Sequence, residues 1–215
     1  MQLISVNLGQ ERTFRHNHKT FVSGIYKAPV NGPVQINTLS LNGDVIKDSK
    51  NHGGVDQAVY IYGGADYDWW ASELDRELAS GTFGENLTIS DLESADFQIG
   101  DRLEIGKVVL EVTAPRIPCG KFAARMGDSG FVKKFRRAER PGLYCRVIQT
   151  GQVEAGKSVL VQPYEGETVS ILEMYRDHYE PDVSEAGLRR FLSAPIDIRS
   201  RKDKEAQLKS LLKGD

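Results

Sequence analysis

The chain is expected to fold as a mainly β protein with helical insertions, a closed or partly closed antiparallel or mixed β-barrel carrying a small helical tail. Three observations predict this. Short β-branched and aromatic runs, broken by Gly- and Asn-containing turns, recur at close spacing from residue 1 to about 163. Two helical segments interrupt them. After Pro163 the strand pattern gives way to amphipathic helical spacing.

The elements follow in order. "MQLISVNLG" opens with partial alternation, then "FVSGIYKAPV", "GPVQINTLSLNGDVI" and "QAVYIYG" continue as strand-like runs, with Asn42-Gly43-Asp44 as a turn. "ADYDWWASELDRELAS" sets Trp69, Trp70, Leu74 and Leu78 at helical spacing and is expected to end at Gly81. "DRLEIGKVVLEVTAP" reads as a hairpin about Gly106-Lys107. "GKFAARMGDSGFVKKFRRAER" reads as two short helices parted by residues 127–130. "GLYCRVIQTGQVEAGKSVLVQP" supplies the last strands. The tail, residues 164–215, is expected to form three helices with Thr168, Ser184 and Asp197 as N-caps. Too small for a deep core of its own, it should pack on the 1–163 barrel or on a second subunit, so a homodimer is expected.

Composition narrows the function classes. With 215 residues, a net charge of −2, a pI near 6.1 and a mean hydropathy of −0.40, the chain reads as an ordinary globular protein. No nucleic-acid footprint shows. No apolar run reaches the roughly 20 residues that span a bilayer, and "MQLISVNLGQ" lacks a signal-peptide pattern. Two cysteines do not make a disulfide framework, so a reduced, cytoplasmic setting is expected.

Chemistry concentrates at "VTAPRIPCGKFAARMG". Pro115 and Pro118 stiffen the approach to Cys119, and Gly120 removes bulk beyond it. Arg116, Lys121 and the start of a helix favour the thiolate, which attacks electrophiles and binds soft metals. A packed thiol remains the alternative. Cys145, inside an apolar strand, is expected in the core. In "NHGGVDQAVY", Gly53 and Gly54 let backbone approach a ligand, with His52 and Asp56 on either side. In "GTFGENLTI", Gly84, Glu85 and Asn86 form a turn able to cradle an anion, though without a Walker lysine. Lys27, Arg116, Lys121, Arg125 and Arg146 fall beside these strand ends, which suits an anionic, phosphorylated small molecule. His16 and His18 lack a third ligand and read as solvated loop; His178 reads as structural.

In order and spacing, "SGIYKAPV", "NHGGVDQAVY", "GTFGENLT", "IGDRLEIG", "APRIPCGK" and "GLYCRV" resemble the MOSC domain family, named for the C-terminal part of molybdenum-cofactor sulfurase. With the helical tail, the resemblance is strongest to its bacterial YiiM group. It implies a molybdopterin-type molybdenum cofactor with Cys119 as metal ligand or sulfur carrier. His52, Asp56, Gly84, Glu85, Asn86, Arg116 and Lys121 would lie around it, with Lys27, Gly53, Gly54 and Arg146 as further cofactor-binding residues. The implied activity is reduction of N-hydroxylated compounds such as hydroxylated purine analogues, a detoxification, with Cys119, His52 and Asp56 as catalytic residues. Electrons would come from a separate flavoprotein or cytochrome. The alternative is a sulfur or molybdopterin carrier without turnover of its own, using a Cys119 persulfide.

Overall fold

A computed structural model of the chain describes residues 1–16, 18–46 and 53–213, with His16 described by its backbone alone. The strands are β1 (Leu3–Gly9), β2 (Arg12–His16), β3 (Lys19–Ser23), β4 (Lys27–Val30), β5 (Val34–Ile36), β6 (Val59–Gly63), β7 (Leu87–Ile89), β8 (Arg102–Ile105), β9 (Val108–Pro115), β10 (Leu143–Gln149), β11 (Gly151–Val153) and β12 (Leu160–Gln162). The helices are α1 (Gly64–Leu74), α2 (Gly120–Met126), α3 (Phe131–Ala138), α4 (Ile171–Tyr179), α5 (Glu185–Ser193) and α6 (Ile198–Lys213).

Eight strands form one sheet in the order β12-β8-β9-β10-β6-β7-β1-β4. Only β6 and β7 run parallel, joined through α1; the other neighbours are antiparallel. The strand-rich architecture matches the expectation, and the sheet is mixed. Its described pairings do not close it into a barrel. One edge is β12, three residues long, and the other is β4, whose Pro29 brings no N–H to a further ladder. The start of β1 meets the segment leading into β12 through an isolated bridge, Gln2 to Ser158. The pairs β2–β3 and β5–β11 stand outside this sheet.

The strands in the middle of the sheet carry the apolar runs. Every residue of β6, "VYIYG", is buried, and β9 is buried except at Val109. Gly106, at φ +63°, makes the two-residue turn between β8 and β9. One core cluster packs aliphatic residues of the sheet, among them Leu3, Ile61, Leu110 and Leu143, against Val169, Ile171, Phe191 and Ile196 of the tail. The tail therefore completes the core of the sheet. Cys145 is fully buried in this cluster, as expected, and burial raises its thiol pKa.

A second cluster is aromatic and lies under α1, α2 and α3. Tyr62 stacks on Phe83 with centroids 4.4 Å apart, and the Trp70 indole donates to the Tyr62 hydroxyl at 2.8 Å. Such a ring pair contributes about 0.5–1.5 kcal/mol beyond its burial.

Two element boundaries differ from the sequence reading. Helix α1 stops at Leu74, and Asp75 takes the left-handed C-cap expected of Gly81 (φ 47°). The next residues bend away so that Gly81 can meet Glu85. Helix α4 is capped by Ser170, whose hydroxyl accepts from the Glu173 N–H at 3.0 Å, and not by Thr168. Ser184 and Asp197 cap α5 and α6 as predicted: Ser184 accepts from the Gly187 N–H, and Asp197 from the N–H groups of Arg199 and Ser200.

Candidate functional site

Three chain segments cross tightly on one side of the sheet. A Cβ on Gly9 would lie 1.9 Å from the Gly24 carbonyl oxygen, and one on Gly24 would lie 2.0 Å from that of Val45. Only glycine permits this crossing. It brings Asp44, from the predicted Asn42–Asp44 turn, onto Lys27 of β4. The two are ion-paired and nearly buried, with the side chains 1% and 8% exposed. Asp44 also accepts from the Gly9 N–H at 2.8 Å and from Asn86 Nδ2 at 2.9 Å. Asn86 Oδ1 in turn accepts from the Tyr60 N–H at 3.1 Å, extending the β6–β7 pairing. Burial pulls the Lys27 pKa down, and the Asp44 carboxylate opposes that pull.

Opposite this network runs the stiff segment between β9 and α2. Arg116 is 5% exposed and lies between two rings, 4.9 Å from the Tyr60 centroid and 4.4 Å from that of Phe122. Its Nη1 donates to the Phe83 carbonyl oxygen, while its Nε is buried with no hydrogen-bond partner. Among the described residues no carboxylate pairs with it. Cys119 is the N-cap residue of α2, half-buried and outside any disulfide.

The cleft between these walls encloses about 640 Å³ of non-atom space, open solvent at its mouth included. It gathers Lys27, Gly84, Asn86, Arg116, Cys119 and Lys121 of the predicted residues. Gly84, at φ +76°, is required there, because a Cβ would come within 2.9 Å of Ile25 and 3.4 Å of Arg116. Sequence reasoning missed Asp44, Gln57, Tyr60 and Tyr144, which line the same cleft. Tyr60 and Tyr144 are register partners on β6 and β10, a pairing that no local spacing reveals.

Five predicted residues lie elsewhere. Glu85 turns inward. Its Oε1 accepts from the Gly81 N–H, from Tyr67 Oη at 2.6 Å and from Thr88 Oγ1 at 2.8 Å, so it organises the turn from behind and does not border the cleft. Asp56 and Arg146 are ion-paired at 3.0 Å. Asp56 accepts from the Ile198 N–H at 2.7 Å, and Arg146 donates to the carbonyls of Pro195 and Ile196. The pair fastens the tail to the sheet. Gly53 donates to Gln57 Oε1 and accepts from Arg199, while Gly54 opens the short turn Val55–Gln57. Among the described residues, Gln57 links these glycines to the cleft. His52 lies outside the described residues, as does the side chain of His16.

Residues 48–160 match the model of the MOSC domain. The chain belongs to the MOSC family. It is 32% identical over 191 residues to the uncharacterized protein YflK of Bacillus subtilis (strain 168), which covers 89% of this chain and 86% of YflK. A protein named "Reductase" from Gibberella moniliformis is 35% identical over 148 residues, matching 66% of this chain but only 26% of that longer protein. The crystal structure of YiiM from Geobacillus stearothermophilus superposes with a TM-score of 0.78 at 25% identity, over 96% of this chain and 98% of that one. The MOSC match spans both walls of the cleft from Gln57 to Tyr144, and Lys27 and Asp44 join it from outside the matched region. Among the described residues no helix is long and apolar enough to cross a membrane, and no group of three or more His, Cys, Asp or Glu side chains could hold a metal ion.

Proposed function

We propose that the cleft binds a molybdopterin-type molybdenum cofactor and that the chain reduces N-hydroxylated compounds to amines. The observation that carries this is Arg116. A buried guanidinium with no carboxylate beside it among the described residues, and an unused Nε, calls for an anionic ligand, and the Cys119 thiol lines the same cleft. The residues fit the group: Arg116 and Lys121 suit a phosphate, and a single soft sulfur suits molybdenum. Kinship to a protein named as a reductase supports the same reading.

When bound, the group supplies a metal that passes between oxidation states two electrons apart. Converting R–NHOH to R–NH2 and water takes two electrons and two protons, and the electrons come from a separate flavoprotein or cytochrome. The chain's own residues position and exclude. Asp44 and Asn86 fix Lys27 at the cleft wall. The Tyr60 and Phe122 rings keep water from the faces of Arg116. Burial raises the Tyr144 pKa, so this phenol stays in its O–H form beside the cleft.

Metal and pterin measured in freshly purified protein test the reading. Cys119→Ala and Cys119→Ser are expected to lose molybdenum and reductase activity. Full metal content and full activity in both variants would refute the assignment.

A further inference from the structure

Charge is unevenly spread along the chain, and its positive part frames the cleft. Residues 12–26 and 119–137 carry nine lysines and arginines against one carboxylate, Asp128, whereas the rest of the chain carries 19 against 29. The first segment is the β2–β3 hairpin and its foot, where Ser23, Gly24 and Ile25 line the cleft. The second holds α2 and α3, with Cys119 and Lys121 in the same lining. Two segments far apart in sequence thus bring positive charge to one cleft.

Tyr26 joins them. Arg12 of the hairpin lies 4.3 Å from its ring centroid, and Arg125 of α2 lies 4.7 Å from it. Among the described residues neither guanidinium pairs with a carboxylate, and Arg125 Nε is buried without a hydrogen-bond partner. Burial pulls the Arg125 pKa down, and the charge of Arg12 adds to that pull. The two like charges repel at this range, and an external anion would relieve the repulsion. Lys121 and Arg125, four residues apart, share a face of α2. On the hairpin, the pairings Arg12–Ser23 and Phe14–Phe21 set Arg12, Phe14, Lys19 and Phe21 on one face and Arg15 on the other. The first face meets Tyr26, with Phe14 edge-on to it at 5.0 Å. Its two phenylalanines are half-buried, while Arg12 and Lys19 are exposed.

Arginine beside half-buried aromatic rings is the composition that protein interfaces favour. A nucleic acid, anionic along its whole length, would also meet the acidic remainder of the chain, which repels it. An acidic protein face matches the patch without that penalty. We propose that the cleft-side face of the β2–β3 hairpin, together with α2, docks the acidic face of the flavoprotein that supplies electrons to the cleft. The donor's role rests on the reductase reading; docking of an acidic protein does not. Two electrons and two protons leave the reduced flavin, the number that R–NHOH takes up to give R–NH2 and water, so the exchange balances.

Calorimetry with a purified flavodoxin, an acidic flavoprotein, tests the docking, with melting curves to check the fold of each variant. Flavodoxin is expected to bind the wild type, and about tenfold more weakly when salt rises from about 50 to about 500 mM. Arg12→Glu and Lys19→Glu are each expected to weaken binding about tenfold, and Arg15→Glu, the same charge change on the opposite face, clearly less. Should Arg12→Glu unsettle the hairpin through Tyr26, the exposed Lys19→Glu against Arg15→Glu decides alone. The proposal is overturned by no binding at low salt, by equal affinities of Lys19→Glu and Arg15→Glu, or by tighter binding of a short DNA duplex or of phosphatidylserine vesicles. Turnover separates it from the reductase reading. With dithionite-reduced methyl viologen, a small donor that needs no docking, the variants should reduce 6-N-hydroxylaminopurine at the wild-type rate, while KM for reduced flavodoxin rises about tenfold in Lys19→Glu. No turnover with either donor, with flavodoxin binding still sensitive to Lys19→Glu, sinks the reductase reading only. Viologen turnover with an unchanged KM for flavodoxin sinks the docking only.

Discussion

Arg116 shows how a single residue can be costly to the fold and useful to the site. Its rings return about 2 kcal/mol through cation–π attraction, but its Nε stays unpaired in the protein. Arg116→Met should therefore leave stability almost unchanged while cutting pterin content, measured by the fluorescence of the released pterin, by tenfold or more. Glu85 is the opposite case. Burial raises its pKa, so protons bind it more tightly in the folded than in the unfolded protein. Its ionised form opposes folding at neutral pH, and that opposition is relieved as pH falls through the raised folded pKa towards 4.5. Glu85→Gln keeps an acceptor for its donors, Asn7 Nδ2 at 3.5 Å among them, and removes the charge. Melting curves should show the wild type gaining on Glu85→Gln as pH falls towards 4.5, and Glu85→Ala losing about 3 kcal/mol. Sequence alone revealed Cys119, Arg116 and Lys121 because they are neighbours in the chain. It did not reveal Asp44, which meets Lys27 only through the glycine crossing, nor that the turn of residues 81–84 wraps Glu85 inward.

At the scale of elements, the Asp56–Arg146 pair is a fastener between the turn Val55–Gln57, β10 and α6. Two caps of the tail, Ser184 and Asp197, could be read from the sequence, as could the β8–β9 hairpin, because local chemistry decides them, whereas the α4 cap fell on Ser170 and not on Thr168. Ile198, whose N–H donates to Asp56, lies 142 residues away along the chain, and no spacing rule reaches that far. Asp56→Ala removes both the ion pair and the acceptor for the Ile198 N–H, so a loss of about 2 kcal/mol is expected. Hydrogen exchange should accelerate first in residues 198–213. Asp56→Asn keeps an acceptor oxygen and should lose about half as much. Equal exchange in all three proteins would show that α6 is held by its apolar contacts alone.

The whole molecule is joined by a core to which both sheet and tail contribute. Val169, Ile171, Phe191 and Ile196 pack in one cluster with Leu3, Leu110 and Leu143, so removing the tail uncovers the sheet. Calorimetry of the full chain should show one cooperative transition, and a chain ending at Pro163 should bind a hydrophobic dye and aggregate. The wall made by Gln57 and Tyr144 has a further consequence. Gln57 and Tyr144 also border a second cavity, where α4 and α6 meet the end of β9, so any free energy one occupant gains by settling that wall is shared with an occupant of the other. Linkage then requires reciprocity: the factor by which an occupied cleft tightens binding in the second cavity equals the factor by which an occupied second cavity tightens binding in the cleft.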